Sequence, residues 1–374
     1  MQDKSKHSVF LYGAWKRNLG DDLFLKAITN RYPDCTFHVM ADREYMNSYS
    51  DIDNLVIHLK NGLITKALNL VYRKLNHPDY IFVKMSKLAD TVVYLGGSLY
   101  QQESNWRKVF KRRMKINSLF KNRFAVGNNF GPFTEQEFYD SYKLFFKELT
   151  DVCFRDKQSR SYFPYDNVRS ASDIIFGVDS YCPENKGKSL SFQKNKPYAV
   201  VSVINLNYNS VSRKFEKVTL EIYETWIARL ITKLEQRGYS VVLMGFCTSE
   251  GDDEAIDRII NNNKFNNTSK FIHNDIDESL SVLRNSDLVI ATRFHSMILG
   301  WAFERNVVPI VYGNKMRQVI VDAGFDGCCV DIEDIDQYDP DYVIDQAKKL
   351  DNISFFKEDS SRHFEGLDSL LADS

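Results

Sequence analysis

The chain has 374 residues, and at about 150 residues per domain this length predicts two domains. Hydrophobic residues make up 43% and charged residues 26%, values that exclude a disordered chain and a collagen-like chain. The 49 basic and 50 acidic residues give a formal net charge of −1, and this balance argues against a broad nucleic-acid-binding surface while leaving room for a small cationic pocket.

Short apolar runs alternate with longer amphipathic segments, a pattern typical of parallel sheets with helices on both faces. The predicted strands are Val9–Tyr12, Thr36–Met40, Leu55–His58, Thr91–Leu95, Arg123–Val126, Asp151–Phe154, Tyr198–Ile204, Ser240–Met244, Lys270–His273, Leu288–Ala291 and Val307–Val311. The clearest predicted helices are Asp21–Tyr32, Glu135–Leu149, Leu220–Arg237, Asp252–Asn262, Asp277–Arg284 and His295–Glu304.

The pattern breaks in the polar segment Cys182–Lys196, which contains Pro and Gly and is the best candidate for a linker. We therefore predict an N-terminal α/β domain over residues 1–185 and a C-terminal α/β domain over 196–340. Residues 341–374 form a polar tail that we expect to pack back on the N-terminal domain. Two doubly wound domains of this kind face a cleft, and the loops after their strands line it.

Three loops of the first half follow predicted strands and contain glycine or polar side chains. The first strand leads into Gly13…Gly20, after which Asp21 or Asp22 can either cap the next helix or act as a base. Two later loops contain the residues Gly96, Gly97 and Ser98, and Asn128. Each loop is either a plain turn or part of a ligand site.

Cations follow three further strands. Arg155 comes directly after one strand and either binds an anion or forms a salt bridge to Asp156 or another neighbour. Arg293 and His295 lie where a buried strand passes into a helix, which combines a guanidinium, an acid/base group and free helix amides. Lys315 begins the helix after the next strand. The scattered histidines show no metal-ligand spacing, so we predict no metal site.

Taken in order, these segments resemble the polysaccharide pyruvyl transferase family. The matching segments are Gly13…Asn18-Leu19-Gly20-Asp21, Gly96-Gly97-Ser98-Leu99, Gly131-Pro132-Phe133, Arg155…Ser159, Ala171–Phe176, Arg293-Phe294-His295 and Tyr312-Gly313-Asn314-Lys315. The chain departs from the family pattern at Phe294, at Ser98 and at Asn205, where the family has an aliphatic residue, a third glycine and an arginine.

The resemblance implies a glycosyltransferase-B-like fold and an enzyme that transfers pyruvate from phosphoenolpyruvate to two hydroxyls of one sugar. The product is a cyclic ketal on a cell-surface glycan, such as an exopolysaccharide, or on its lipid-linked precursor. No cofactor is expected beyond phosphoenolpyruvate as co-substrate. The alternatives are a nucleotide-sugar-dependent glycosyltransferase of the B type and a non-catalytic sugar-binding relative.

The same resemblance assigns roles to individual residues, with the acceptor on the N-terminal domain and the donor on the C-terminal domain. His295 and Asp21 are the expected catalytic groups. Arg293, Arg155 and Lys315 are expected to bind the donor. The expected acceptor or loop residues are Asn18, Gly20, Asp22, Gly96, Gly97, Ser98 and Asn128.

Cysteine usage and the chain ends bear on location. The six cysteines include no C-x-x-C pair, so we expect free thiols in a reducing compartment. The charged N-terminus is not followed by a long apolar stretch, and no run of about 18 apolar residues occurs anywhere. We therefore expect a cytoplasmic protein without signal peptide or membrane span, either free or peripheral at the inner face of the membrane. Its oligomeric state is left open.

Overall fold

The computed structural model describes residues 7–46, 48–49, 51–184, 196–208, 215 and 217–371. The chain divides into two compact α/β units. The first contains residues 1–16, 24–174 and 358–374, and the second contains residues 17–23 and 175–357. Most of the predicted linker, residues 185–195, lies outside the described residues.

The first unit is built on a parallel sheet of seven strands. These are β1 (His7–Tyr12), β2 (Cys35–Ala41), β3 (Leu55–Leu59), β4 (Thr91–Leu95), β5 (Asn122–Asn128), β6 (Asp151–Phe154) and β7 (Val168–Ser170). Their order across the sheet is β3-β2-β1-β4-β5-β6-β7. The order reverses between β1 and β4, which makes the ends of these strands the expected place for a ligand crevice.

The second unit repeats this design with six parallel strands. These are β8 (Tyr198–Ser202), β9 (Ser240–Gly245), β10 (Thr268–Ile272), β11 (Leu288–Ala291), β12 (Asn306–Val311) and β13 (Val330–Asp331). Their order is β10-β9-β8-β11-β12-β13, with the reversal between β8 and β11. Arg293 and His295 follow β11 and therefore lie at this reversal point.

The helices are α1 (Leu19–Arg31), α2 (Leu63–Lys74), α3 (Tyr80–Ser86), α4 (Trp106–Asn117), α5 (Gln136–Lys147), α6 (Lys157–Ser161), α7 (Val178–Tyr181), α8 (Leu220–Gln236), α9 (Asp252–Asn261), α10 (Ile276–Arg284), α11 (Phe294–Ala302), α12 (Asn314–Ala323), α13 (Pro340–Asp345), α14 (Ile353–Ser360) and α15 (Glu365–Leu371). Helices α1 to α12 lie between strands along the chain, and α13 to α15 follow the last strand. No helix among the described residues is long and apolar enough to cross a membrane.

Burial follows the rule for parallel sheets. Every residue of the central strands β4, β8 and β11 is buried, because helices cover both faces of a doubly wound sheet. The core of the first unit is rich in aromatic rings that pack around Phe130, Tyr142 and Phe146. Much of the high aromatic content of the chain is therefore structural.

The predicted fold class of two doubly wound, Rossmann-like units is confirmed. All eleven predicted strands are present, with ends that agree or differ by at most two residues. The sequence pattern missed β7 and β13, which have three and two residues and are too short for hydrophobic periodicity to reveal. The predicted helix His295–Glu304 ends earlier, at Ala302, and Glu304 adopts a positive φ of 56°.

Candidate functional site

The beginning of α1 is fixed by Asn18. Its side-chain Oδ1 accepts the Gly20 N–H at 3.1 Å, and its carbonyl accepts the Asp22 N–H at 2.9 Å. Asn18 is therefore the N-cap of α1, in place of the predicted Asp21 or Asp22. The helix begins earlier than predicted, at Leu19, so both aspartates lie in its first turn, where a carboxylate favourably opposes the helix dipole.

This segment packs within the second unit, although α1 continues into the first. The Leu19 N–H donates to the carbonyl of Phe246 at 3.2 Å, and Asn18 forms an isolated antiparallel bridge with Cys247. Both partners lie in the loop after β9. The backbone of residues 18–19 is thereby held at the carboxyl end of the second sheet.

Gly20 lies directly against the ring of His295. A Cβ added to Gly20 would be 2.6 Å or less from three ring atoms, Nδ1, Cε1 and Cγ. Ordinary contacts between non-bonded heavy atoms are about 3.5–4.0 Å, so only glycine leaves room for the imidazole in this position. The structure thus brings Asn18, Gly20 and His295, predicted from two distant segments, into one cluster.

Arg293 is the N-cap of α11, and its backbone is positioned by buried hydroxyls. The Arg293 N–H donates to Oγ of Ser202 at 3.1 Å, and the preceding Thr292 shares a 3.1 Å hydrogen bond with the hydroxyl of Tyr223. Both Ser202 and Thr292 are fully buried. The first amides of α11 therefore have a fixed position, and a helix N-terminus with its dipole favours an anion.

The guanidinium of Arg293 is bound by two carboxylates. Nε donates to Asp252 at 3.0 Å, Nη2 donates to the other oxygen of Asp252, and Nη1 donates to Glu250. Burial opposes the charge of Arg293, but the two carboxylates outweigh it and raise the pKa well above its ordinary value. Arg293 therefore offers fixed N–H donors whose charge is already balanced.

Asp252 also holds the loop after β9. One of its oxygens accepts the N–H groups of Phe246 and Cys247 at 2.9 and 3.0 Å. Burial raises the pKa of Asp252, against the lowering effect of Arg293 and these backbone donors. Asp252 is thus a positioning residue. It connects Arg293 to the loop after β9, the loop that also forms the backbone bridge to Asn18.

Lys315 supplies a second cation on the same unit. Its Nζ lies 5.1 Å from the ring centroid of Tyr312 and 5.9 Å from that of Phe294, within the range of cation–π attraction. Within the part of the chain that the structure describes, no carboxylate lies at salt-bridge distance from Lys315. Its charge is therefore not balanced in the way that the charge of Arg293 is.

Asp22 belongs to a buried chain of polar side chains. Its Oδ2 lies 2.9 Å from Nε2 of His273, and Nδ1 of His273 lies 2.7 Å from Oγ of Ser279. All three residues are buried, whereas the neighbouring Asp21 is half-buried. Asp22 thus fixes the first turn of α1 to the end of β10, and Asp21 is the more accessible of the two carboxylates.

Arg155 lies in the first unit and has its own carboxylate. Its Nη1 donates to Asp173 at 3.1 Å, and its Nη2 donates to Oδ1 of Asn129 at 2.8 Å. A Cβ on Gly97 would be 2.7 Å from the guanidinium nitrogens, so Gly97 is needed for this close approach. Arg155 therefore forms a salt bridge, and its carboxylate partner is Asp173.

The other predicted loop residues of the first unit surround Arg155. The Arg155 N–H donates to the carbonyl of Asn128 at 2.9 Å, and Nδ2 of Asn128 donates to the carbonyl of Gly96. Oγ of Ser98 lies 3.5 Å from Oδ1 of Asn129. These residues form a hydrogen-bonded cluster at the carboxyl ends of β4, β5 and β6. The predicted donor cations are thus divided, with Arg155 in the first unit and Arg293 and Lys315 in the second.

Sequence reasoning missed Glu250, Asp252, His273 and Asp173 as partners of site residues. His273 directly follows β10, and this position at a strand end is the one signal that could have drawn attention to it. In the described part of the chain, no group of three His, Cys, Asp or Glu residues is arranged to hold a metal ion.

Comparison with solved structures shows the fold. The S. aureus MnaA–UDP co-structure matches with a TM-score of 0.63 and 13% identity, covering 98% of this chain and 97% of that chain. UDP-GlcNAc 2-epimerase from Neisseria meningitidis, bound to UDP-GlcNAc, matches with a TM-score of 0.59 and 10% identity, covering 96% and 99%. The fold is therefore glycosyltransferase-B-like.

Comparison of sequences shows the family. The amylovoran biosynthesis protein AmsJ of Erwinia amylovora is 22% identical over 359 residues, which cover 86% of this chain and 85% of AmsJ. The family model for polysaccharide pyruvyl transferase matches residues 18–314, a span that begins at the cap of α1 and includes Arg293 and His295. On this match the chain belongs to the polysaccharide pyruvyl transferase family.

Proposed function

We propose that this protein transfers pyruvate from phosphoenolpyruvate to two hydroxyls of one sugar and releases phosphate, leaving a cyclic ketal. The observation that carries the proposal is the packing of Gly20 against His295. It joins the Asn18–Asp21 segment and the Arg293–His295 segment, both of them family motifs, within one unit and at a strand-order reversal.

The chemistry of the donor suits the groups around His295. Phosphoenolpyruvate carries a phosphate and a carboxylate, so its site needs N–H donors and at least one uncompensated cation. The N-terminus of α11 and the fixed guanidinium of Arg293 offer donors, and the ammonium of Lys315 offers the charge. We keep Arg155 as a further candidate donor ligand, because its guanidinium is held at the carboxyl end of the first sheet.

The first step forms a carbon–oxygen bond at C2 of the donor. His295, as an imidazolium, gives its proton to the methylene carbon, which becomes a methyl group and leaves C2 electron-poor. The first sugar hydroxyl adds its oxygen to C2 and loses its proton to a base, for which we propose Asp21. We choose Asp21 over Asp22 because Asp21 is half-buried, whereas Asp22 is buried and less accessible to a substrate.

The second step breaks the bond between C2 and the phosphate oxygen. The phosphate leaves with the bonding electron pair, and the second hydroxyl adds to C2 to close the ketal. The sugar loses two protons in total. One of them reprotonates His295, which gave its own proton to the methylene carbon, and the other leaves with the phosphate. No oxidant or reductant is needed, because the protons and the pyruvyl carbons are all accounted for.

The acceptor is proposed to be a glycan of an extracellular polysaccharide or its lipid-linked precursor. The support is family membership together with the likeness to AmsJ, which is named as an amylovoran biosynthesis protein. We further propose that the protein acts in the cytoplasm, where phosphoenolpyruvate is formed.

The test is a phosphate-release assay with purified protein, phosphoenolpyruvate and a panel of galactosides and mannosamine-containing glycans. We expect phosphate release only when an acceptor is present, with a pyruvyl ketal detected on that acceptor by mass spectrometry. UDP-GlcNAc is included in a parallel reaction, because structures of similar fold bind UDP or UDP-GlcNAc. Consumption of UDP-GlcNAc with phosphoenolpyruvate left intact would replace the proposal by a nucleotide-sugar reaction.

A further inference from the structure

Helix α2 of the first unit exposes most of its aliphatic residues to solvent, while Leu68 is half-buried. At or just beyond the ends of the helix, the exposed fractions are 86% for Leu63, 77% for Ile64 and 64% for Leu75. The one buried residue of the helix is the polar Asn69. The exposed residues recur at intervals of three and four and therefore lie on one side of the helix. We call this surface the α2 apolar face; it consists of Leu63, Ile64, Ala67, Leu70, Val71 and Leu75.

The opposite side of α2 is fastened to the protein, so the orientation of the helix is fixed. Oδ1 of Asn69 accepts the Ile81 N–H at 3.2 Å, which joins α2 to α3. Nε and Nη2 of Arg73 donate to the two oxygens of Asp79, each at 2.6 Å. These contacts fix the rotation of α2 about its axis, with Asn69 facing inward and the α2 apolar face facing outward.

A groove with basic and apolar walls lies beside the C-terminal end of α2. It has a volume of about 520 Å³ and extends from Arg73 to α4. Lys108, Lys111 and Arg112 of α4 are exposed at the groove, and Phe82 and Met114 form part of its apolar wall. We call it the basic groove.

The charge around both features is positive, although the whole chain is nearly neutral. Residues 54–78, which contain α2, have four Lys or Arg and no Asp or Glu. Residues 104–134, which contain α4, have eight Lys or Arg and no Asp or Glu. Not all of this excess is free surface charge: Arg113 is buried, and Arg73 and Arg107 form salt bridges with Asp79, Glu135 and Glu137. The exposed basic side chains at the groove are Lys108, Lys111 and Arg112.

We propose that the α2 apolar face and the basic groove dock this protein on a membrane that contains anionic lipids. A helix that lies in the membrane interface has large aliphatic residues on one side and Lys or Arg on its polar side, as α2 has. Basic residues beside it gain energy from the negative surface potential of anionic lipids. The apolar wall of the groove suits the region just below the lipid phosphates.

The pattern fits other occupants less well. A second copy of the chain would bring the same positive charge to the contact, and like charges repel. The centre of a protein–protein interface is usually rich in aromatic residues and poor in lysine, whereas the α2 apolar face has no aromatic residue and the exposed Lys74 lies at its edge. The proposal does not depend on the donor or the reaction proposed above.

The experiment is co-sedimentation of the full-length protein with vesicles, using phosphatidylcholine alone or phosphatidylcholine mixed with phosphatidylglycerol. Ile64→Gln tests the apolar face, and the double variant Lys108→Gln/Lys111→Gln tests the basic groove. The matched controls are Leu144→Gln, at a side chain that is 63% exposed on α5, and Lys264→Gln/Lys349→Gln, at two exposed lysines of the second unit.

We expect binding to the anionic vesicles only, weakened by added salt. The double lysine variant should lose about 25-fold in binding, at about fivefold for each lysine, and Ile64→Gln should lose about tenfold. The control variants should bind like the parent protein. Absence of sedimentation with anionic vesicles would overturn the proposal, as would equal binding to both vesicle types. If Ile64→Gln abolished a dimer and left vesicle binding unchanged, the α2 apolar face would contact a second copy of the chain and not a membrane.

Discussion

Replacing Gly20 by alanine should damage catalysis without damaging the fold. The φ of Gly20 is not positive, and the residue lies in the first turn of α1, where alanine is favoured over glycine by up to about 1 kcal/mol. The added Cβ would, however, be 2.6 Å or less from three ring atoms of His295. The nearest atom, Nδ1, would be 1.6 Å away, so restoring an ordinary contact of about 3.5 Å requires the ring to move by roughly 2 Å.

A displacement of this size is large for an acid/base group. Misplacing a catalytic group by about 1 Å can reduce the rate about 100-fold, so we expect Gly20→Ala to lower kcat about 100-fold. The melting temperature should change little, because the strain can be relieved by rotating one half-buried side chain. The assay is phosphate release from phosphoenolpyruvate in the presence of acceptor, with thermal unfolding measured on the same sample.

Two comparisons make this prediction specific. Gly313→Ala is the matched control, since a Cβ there meets nothing within 4 Å and the backbone is extended, with φ 179°. If Gly20→Ala acts through His295, the double variant Gly20→Ala/His295→Ala should be no slower than His295→Ala alone. An active Gly20→Ala enzyme, or additive losses in the double variant, would refute the argument that Gly20 exists to admit the imidazole.

Three further predictions concern charge. Asp252→Asn leaves Arg293, whose side chain is only 12% exposed, without its main partner. The free energy of unfolding should therefore fall by about 3–5 kcal/mol in denaturant titration, far more than for Asp345→Asn at an exposed pair, and equal effects would contradict this. Lys315→Gln should raise the KM for phosphoenolpyruvate about tenfold and affect kcat less. Lys264→Gln is the control, and an unchanged KM for Lys315→Gln would show that Lys315 does not bind the donor. Burial lowers the pKa of His363 to about 3 from the ordinary 6.5. Between these two pH values the unfolded chain binds a proton at His363 and the folded chain does not. The contribution to stability is therefore complete above pH 6.5 and is lost by about 1.4 kcal/mol per pH unit as the pH falls toward 3. Unfolding of His363→Gln should show a correspondingly smaller slope over this range, and an identical slope would refute it.

The fold was predictable because each parallel strand is a compact apolar run between amphipathic helices. Glycine turns and polar residues after those runs also indicated Gly20, Arg293 and His295, since doubly wound sheets expose their strand ends to ligands. The partners of these residues were not predictable. Asp252 is 41 residues from Arg293, and His273 is 251 residues from Asp22, so no local pattern connects them.

The helix α2 shows a different limit of sequence reasoning. Its spacing indicates an amphipathic helix, and an amphipathic helix is normally assumed to turn its apolar side toward the core. The structure instead buries Asn69 and exposes Ile64, because Asn69 is bonded to the backbone of Ile81. Periodicity shows that a helix has an apolar side but does not show what that side contacts.

The central claim is that phosphoenolpyruvate is the donor and that its methylene carbon is protonated during transfer. The most direct measurement is the reaction in deuterium oxide, followed by mass spectrometry and NMR of the glycan product. The mechanism predicts a cyclic ketal whose methyl group carries one deuterium, formed in step with phosphate release and absent in His295→Ala. A product without a new methyl group, or consumption of a nucleotide sugar with phosphoenolpyruvate unchanged, would contradict the account.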